Sequence, residues 1–315
     1  MIFEGDRGVI SAIKEKKRLM EAGLEHGHIK PLLVIDGGLM KGAYGVGAAL
    51  AIEELGLTDA FDNVVGISSG APTAAYFVSG DVSSGSSVIW KYCCSKEFLN
   101  MWRFWNQVDT DYFMSVLKDS TKCGLQTDKI LSARPKLHIG VANFETGKPS
   151  LFQPTTESGL FNSIQASILM PNVSNDIVHI DDIRYVDGGF TNPHVLTCVL
   201  DQIEVTHMLM ITNQNHIDQL IPDLPWLERF LNHTLFRRRM PKLLRFAAHE
   251  RWRTRTVAIE KIKKNTSIAC ALVWGNRSIK SMERDADKVQ RVVEASRKWW
   301  MELLIDETVK DTQNP

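Results

Sequence analysis

The sequence has no net charge, because 37 Lys and Arg residues balance 37 Asp and Glu residues. It therefore offers no global attraction to nucleic acid, which we do not expect as a partner. No apolar run approaches the roughly 18 residues of a membrane span, and the first 23 residues lack the apolar centre of a secretory signal. The 315 residues include only five cysteines, which suits a reducing compartment better than a disulfide framework. These absences predict a cytoplasmic globular protein.

Internal repeats and low-complexity linkers are also absent, so the apolar runs are the main guide to the fold. Short buried runs at 31–36 and 62–68 are each followed by a helical stretch. This strand–helix–strand–helix order predicts parallel strands joined by crossover helices. Further strands are expected at 136–144, 149–154, 179–190, 206–214 and 267–275, and further helices at 158–171 and 283–304. We predict a three-layer α/β fold with a mainly parallel sheet running from residue 31 to residue 275.

The predicted domain organisation is simple. Residues 1–30 are expected to form a leading amphipathic helix, since apolar residues recur at helical spacing between 9 and 25. Residues 31–315 then form one main domain. A helical insertion is expected near 215–265, where the run of strands is interrupted.

The stretch Gly66-Ile67-Ser68-Ser69-Gly70 fits the pattern G-x-S-x-G at the end of an apolar run. In a nucleophile elbow the serine occupies a sharp strand-to-helix turn, and flanking glycines let neighbouring backbone approach closely. Alone the pattern is weak, because glycine and serine are common. It makes Ser68 a candidate nucleophile, with Gly66 and Gly70 as the elbow glycines.

A second glycine-rich turn, Asp36-Gly37-Gly38-Leu39-Met40-Lys41-Gly42, lies between a strand and a helix. Such turns aim backbone N–H groups at an anion, and the helix dipole adds partial positive charge. The two common phosphate-binding patterns, G-x-G-x-x-G and G-x-x-x-x-G-K-[ST], are not satisfied. The other interpretation is an oxyanion hole, which a serine nucleophile some thirty residues later would make useful.

The third element is Val186-Asp187-Gly188-Gly189, where a carboxylate at a strand end precedes two glycines. The order DGGLMKG, GISSG and DGG resembles the patatin-like phospholipase family, and the stretch QASILMPNV is similar to the one before the family's catalytic Asp. The resemblance covers roughly 31–213 and, more loosely, 267–303. It implies hydrolysis of acyl esters by a Ser–Asp dyad without histidine, metal or cofactor.

Carried over by motif, the resemblance makes Ser68 the nucleophile and Asp187, followed by the motif glycine Gly188, the base. Four residues, Gly37, Gly38, Leu39 and Met40, would form the oxyanion turn, and Lys41 would contact the turn or a lipid phosphate. The substrate would be a lipid, either phospholipid or lysophospholipid. Leu39 departs from the family, which has a third glycine here, and a positive φ outside glycine costs roughly 1–2 kcal/mol.

Two other functions fit parts of the pattern. An α/β-hydrolase esterase would use a Ser–His–Asp triad with a late histidine such as His207, His216 or His249. A lipid-binding regulatory protein with a degenerate site would explain Leu39.

The segment 226–264 interleaves aromatic and basic residues. Between 237 and 264, eleven Lys and Arg residues stand against two Glu residues, which gives +9 in a neutral chain. A solvated helical hairpin would account for this composition. A cap over the acyl site that meets an anionic membrane surface would also do so, since each basic residue adds about 1 kcal/mol there. The second interpretation predicts a protein peripheral to the membrane.

Overall fold

The structure is a computed structural model of the full chain. It describes residues 1–103, 106–171, 174, 178–191, 195–215, 241–244, 246, 259–260, 264 and 267–305.

The strands of the described residues belong to one sheet. In chain order they are β1 (Ile2–Gly5), β2 (Pro31–Ile35), β3 (Asn63–Ile67), β4 (Lys136–Asn143), β5 (Pro149–Phe152), β6 (Val178–Ile180), β7 (Ile183–Asp187), β8 (His207–Asn215) and β9 (Ala269–Gly275).

The α-helices are α1 (Gly8–Glu21), α2 (Ala43–Glu54), α3 (Gly70–Val78), α4 (Val82–Gly85), α5 (Val88–Lys91), α6 (Thr110–Lys118), α7 (Thr127–Ser132), α8 (Glu157–Ile168), α9 (Gly188–Thr191), α10 (Val195–Gln202) and α11 (Ala286–Ile305). Two 3₁₀ turns, Leu39–Gly42 and Thr58–Ala60, precede α2 and β3.

The sheet has a parallel centre and antiparallel margins. Its order is β1-β9-β8-β2-β3-β4-β7-β6, with β5 also paired to β4. Strands β9, β8, β2, β3 and β4 are mutually parallel, whereas β1, β5, β7 and β6 pair antiparallel. The carboxyl ends of β2 and β3 therefore meet at one edge, where ligands bind in open α/β sheets.

Both faces of the central strands are buried, which explains their unbroken apolar runs. One face, including Leu33 and Ile35 of β2, packs in a core shared with α1, α2, α3, α8 and α11. The opposite face, including Leu32 and Val34, packs with α10 and with Ile259. Helices on the two faces of one sheet make the three layers of the predicted fold.

Helix α2 lies between the sheet and α11, and small residues allow both approaches. A Cβ added at Gly45 would lie 3.0 Å from Ile35 Cγ2 of the sheet. One added at Gly47 would lie 2.5 Å from Ser296 Cβ and from the Val293 carbonyl oxygen of α11. The Ser296 hydroxyl also donates to the Tyr44 carbonyl at 2.8 Å. This packing fixes the helix that follows the glycine-rich turn.

The predicted α/β class, the three layers and the parallel centre are confirmed. The expectation that the sheet begins at residue 31 is wrong, because Ile2–Gly5 pairs with β9 and extends it at its edge. Most of the expected insertion at 215–265 lies outside the described residues. Among the described helices, none is long and apolar enough to cross a bilayer.

Candidate active site

Ser68 lies in a strained turn between β3 and α3. Its φ is 54°, in the left-handed region that residues with a Cβ rarely adopt. A Cβ at Gly70 would lie 2.1 Å from the Ile35 carbonyl oxygen, and one at Gly66 would lie 2.6 Å from Ala71 Cα. Both flanking glycines are therefore needed for the close approach of strand and helix, as a nucleophile elbow requires.

The glycine-rich turn lies directly against Ser68. A Cβ at Gly37 would sit 2.5 Å from Ser68 Cβ and 3.1 Å from Ser68 Oγ. The next two residues also have positive φ, 152° at Gly38 and 52° at Leu39. Leu39 thus takes the left-handed conformation, which costs roughly 1–2 kcal/mol for a residue with a Cβ.

Two amides of the predicted oxyanion turn already have acceptors. The Gly37 N–H donates to Asp36 Oδ1 at 2.7 Å, and the Met40 N–H donates to the Ser281 carbonyl at 3.1 Å. Within the described part of the chain, no hydrogen bond engages the N–H groups of Gly38 and Leu39. Of the four residues expected to form the oxyanion turn, Gly38 and Leu39 are thus the two whose amides have no acceptor among the described residues.

Asn213 clamps this turn, and sequence reasoning missed it. Its side chain is fully buried at the end of β8. Nδ2 donates to the Asp36 carbonyl, and Oδ1 accepts the Gly45 N–H of α2 at 2.9 Å. The Asp36–Gly37 peptide is therefore held on its carbonyl side by Asn213 and on its N–H side by the Asp36 carboxylate. The only sequence signal was a polar triplet, Asn213-Gln214-Asn215, ending an apolar strand.

Asp187 ends β7, which is separated from the elbow strand β3 by β4. Ile67 pairs with Gly140 of β4, and the next residue of β4, Val141, pairs with Asp187. Ser68 and Asp187 therefore flank β4 at the same level, two strand spacings or about 10 Å apart in Cα position. The carboxylate is buried and accepts the Gly189 N–H at 2.7 Å. A Cβ at Gly189 would lie 3.3 Å from Asp187 Oδ1 and 3.8 Å from Ile67 Cγ2. The Asp187 carboxylate and Ile67, the residue that precedes Ser68, therefore both lie beside Gly189.

The carboxyl end of α8 contacts both candidate residues. Ser167 Oγ accepts the Ser68 N–H at 2.8 Å and donates to the Gly140 carbonyl at 2.7 Å. Two residues later, the Leu169 carbonyl accepts the Asp187 N–H at 2.9 Å. Ser167 belongs to the stretch QASILMPNV, so the resemblance contained a signal for it although its role was not predicted. The end of α8 sets the relative position of serine and aspartate.

A mainly apolar cavity opens beside Ser68. Its free volume is about 60 Å³, below the roughly 300–1,000 Å³ of sites that enclose a drug-sized ligand. Ser68 and Leu39 line it together with side chains of α3, α5, α6 and the loop before α6, among them Tyr76, Ile89, Phe98 and Phe113. Cys93 also lines it, but burial raises the pKa of this thiol well above its ordinary value. A protonated thiol is a poor nucleophile, so Cys93 does not compete with Ser68 for that role.

Lys41 lies against the glycine-rich turn. Its N–H donates to the Gly38 carbonyl at 3.1 Å, and its ammonium group lies 3.4 Å from Gln214 Oε1. A Cβ added at Gly38 would lie 3.1 Å from the Lys41 Cβ.

The histidines of the described residues lie away from the elbow. His207 begins β8 beside Pro31, at the opposite end of the strands from Ser68. His138 pairs with Val65, and its ring donates to Asn63 Oδ1 at 2.9 Å. His216 and His249 lie outside the described residues. Within the described ranges, no group of three His, Cys, Asp or Glu residues could hold a metal ion.

The family model of patatin-like phospholipases matches residues 33–197, a little over half of the chain. YjjU, a protein of Escherichia coli K12 described as uncharacterized, is 24% identical over 166 residues, covering 51% of this chain and 45% of its own. This chain therefore spans less than half the length of that relative.

Solved structures show more distant likeness. VipD of Legionella pneumophila has a TM-score of 0.49 at 14% identity, over 88% of this chain and 66% of its own. Human GIVD cytosolic phospholipase A2 has a TM-score of 0.39 at 12% identity, over 94% of this chain and 62% of its own. The matched range 33–197 contains the glycine-rich turn, the elbow and the Asp-Gly-Gly turn. The chain belongs to the patatin-like phospholipase family.

Proposed function

We propose that this chain hydrolyses carboxylic ester bonds of lipids, as a phospholipase A or lysophospholipase, through a Ser68–Asp187 dyad. The observation that carries the proposal is the placement of Ser68. It occupies a left-handed strand-to-helix turn, against Gly37, beside a mainly apolar cavity. The apolar lining of that cavity suits an acyl chain, whose ester carbonyl would then lie at the serine.

The reaction proceeds as a two-step acyl transfer. Ser68 Oγ attacks the ester carbonyl carbon while its proton passes to the Asp187 carboxylate. In this proposal the oxyanion is held by the Gly38 and Leu39 amides, which have no acceptor among the described residues. The bond to the leaving alcohol breaks, and the alcohol takes the proton from Asp187. Water then attacks the acyl-serine and gives a proton to Asp187; the acyl–Oγ bond breaks, Ser68 Oγ takes that proton back, and the acid is released.

A dyad fits the described residues better than a triad. In a triad a histidine must lie within hydrogen-bond reach of the serine. His207 lies at the opposite end of the strands and His138 bonds to Asn63, whereas Asp187 lies across β4 from the elbow. The carboxylate is thus the proposed base.

The test is Asp187→Asn, which keeps the side-chain shape but removes the ability to accept a proton. We expect ester turnover to fall by about two to four orders of magnitude, the range of general base catalysis. Separate Gln substitutions at His194, His207, His216, His233 and His249 should each keep most activity. The pH profile should lack a rising limb near the pKa of about 6.5 expected of a catalytic histidine. One histidine variant that matches the loss at Asp187 while staying folded would contradict the dyad.

The strained Leu39 favours a second candidate, a lipid-binding protein without turnover. It would fill the same cavity, so only measured hydrolysis separates the two. A fluorogenic short-chain ester with the purified protein provides that measurement.

A further inference from the structure

An exposed aromatic tip distinguishes the loop before α6. Trp102 is 85% exposed, and its neighbour Met101 is 47% exposed. By contrast, Trp274 and Trp300 are almost fully buried in the core. Burial of an indole ring stabilises a folded protein, and an indole exposed to water does not provide that stabilisation.

The base of this loop is firmly closed, so the exposure of its tip is not fraying. Leu99 and Val108 form a β-bridge, and the Asn100 N–H donates to the Gln107 carbonyl at 2.8 Å. The Trp102 N–H donates to Asn100 Oδ1 at 3.0 Å. These bonds hold the backbone that presents the Trp102 side chain.

The charge nearest to the tip is neutralised within the loop. Arg103 Nη1 donates to Asp109 Oδ2 at 2.9 Å, and Nη2 donates to the Glu97 carbonyl at 2.8 Å. Between residues 96 and 111 the chain carries two basic and three acidic side chains. This surface therefore has little attraction for an anionic partner.

The same loop forms part of the cavity wall. Phe98 and Val108, on either side of the base, line the cavity together with Ser68. Between Leu99 and Trp102 there are three residue steps, or at most about 10 Å of extended chain. A surface that contacts the Trp102 side chain therefore lies close to the wall of the cavity.

The size of the tip excludes a stable protein interface built on it alone. One aromatic side chain buries about 150–250 Å², whereas each partner in a standard protein interface buries about 800 Å². A membrane–water interface sets no such minimum area, and it favours tryptophan because the ring is apolar with one polar N–H.

We propose that Met101 and Trp102 insert into the surface of a lipid bilayer and hold the cavity wall against it. This inference rests on the proposed hydrolysis of lipids, because insertion would hold the enzyme at the surface that contains its substrate. Binding comes from apolar insertion rather than from charge, which separates this contact from the one expected of segment 226–264.

The test measures binding to phosphatidylcholine vesicles by co-sedimentation, using full-length Ser68→Ala protein so that no lipid is degraded. Adding Trp102→Ala should lower the partition coefficient about tenfold, and Trp102→Phe should restore most of it. Leu24→Ala is the matched control. Leu24 is a half-exposed apolar residue that precedes β2, at the end of the sheet away from Ser68, and its loss should leave binding unchanged. Binding should persist from about 0.1 M to about 1 M salt, although the Debye length falls from about 10 Å to about 3 Å.

Three results would overturn the proposal. The first is an unchanged partition coefficient in Trp102→Ala, or no vesicle binding by the parent protein. The second is loss of binding at high salt. The third is a parent dimer that Trp102→Ala converts to a monomer, which would make the tip a self-association contact. Vesicle binding is measured without turnover. Its result can therefore be interpreted even if the protein proves not to hydrolyse lipids.

Discussion

Leu39 and Ser68, two residues beside the cavity, hold left-handed backbone conformations, with φ of 52° and 54°. Such strain persists at functional sites when the surroundings enforce it. At Ser68 the conformation turns the chain sharply from β3 into α3 and is part of the elbow. At Leu39 the proposed role belongs to the backbone N–H. The left-handed conformation there has no evident use for the leucine side chain.

We predict that Leu39→Gly folds and keeps or raises kcat. Glycine relieves a strain of roughly 1–2 kcal/mol, but it also increases the entropy of the unfolded chain and removes an apolar side chain. The free energy of unfolding should therefore change by no more than about 1 kcal/mol. Urea denaturation and turnover of a soluble ester measure the two effects.

Leu39→Ala is the matched control, because it shortens the side chain and retains the strained φ. If both variants fold and both lose turnover, the leucine side chain is itself part of the site. That outcome would contradict an oxyanion hole made of backbone amides alone.

Residues that act through their local motif could be predicted from the sequence. Ser68, Gly37 and Asp187 each lie in a short glycine-containing pattern whose chemistry is readable without neighbours. Ser167 and Asn213 were missed, because the residues that they bond in the elbow and in the glycine-rich turn lie 99 and 177 positions away along the chain. Serine at a helix end and asparagine at a strand end have many ordinary uses, and only the folded chain shows what they contact.

At the scale of elements, the carboxyl end of α8 and the neighbouring strands β3, β4 and β7 carry the site. β4 separates serine from aspartate and sets their spacing by its register with both strands. This arrangement depends on the β3–β4 pair, which contains a buried histidine. His138 donates to Asn63 Oδ1 across that pair, and burial lowers its pKa to about 4.

His138 predicts a pH dependence of stability. The unfolded chain binds a proton near pH 6.5, while the folded chain leaves His138 neutral down to about pH 4. The stabilisation is thus complete above pH 6.5 and is lost as the pH falls from 6.5 towards 4. Between pH 7 and pH 5 this group alone should lower the free energy of unfolding by about 2 kcal/mol.

Urea denaturation of His138→Gln at both pH values measures this contribution. The variant should be less stable at pH 7 and should show a shallower loss on acidification. His28→Gln, at an exposed histidine, is the control and should keep the parent slope. A His138→Gln slope equal to that of the parent would contradict the assignment.

At the scale of the whole molecule, elements with a clear apolar run or helical period were predictable, and several short elements were not. The apolar runs of β2, β3, β8 and β9 and the periodicity of α11 are strong enough to be recognised alone. β1 is four residues at a sheet edge, too short for a pattern to develop. The helices α4 and α5, of four residues each, have the same limitation. Side chains from 82–113 line the cavity, which is why the cavity itself was not predicted.

The basic segment 226–264 carries a prediction that depends on charge alone. Replacing Arg237, Arg238 and Arg239 by Glu should weaken binding to anionic vesicles and reduce the salt sensitivity of the remaining binding. Turnover of a soluble short-chain ester should change little. Unaltered binding to anionic vesicles would support a solvated helical segment in place of a membrane contact.

The most direct test of the central claim asks which of two adjacent serines is the nucleophile. Ser68 occupies the strained elbow against Gly37, whereas Ser69 Oγ is buried without a hydrogen-bond partner among the described residues. The parent protein is treated with a fluorophosphonate and the modified peptide is mapped by mass spectrometry, alongside Ser68→Ala and Ser69→Ala. We predict modification at Ser68, loss of labelling and of ester turnover in Ser68→Ala, and labelling retained in Ser69→Ala. Modification at Ser69, or at neither serine, would contradict the account.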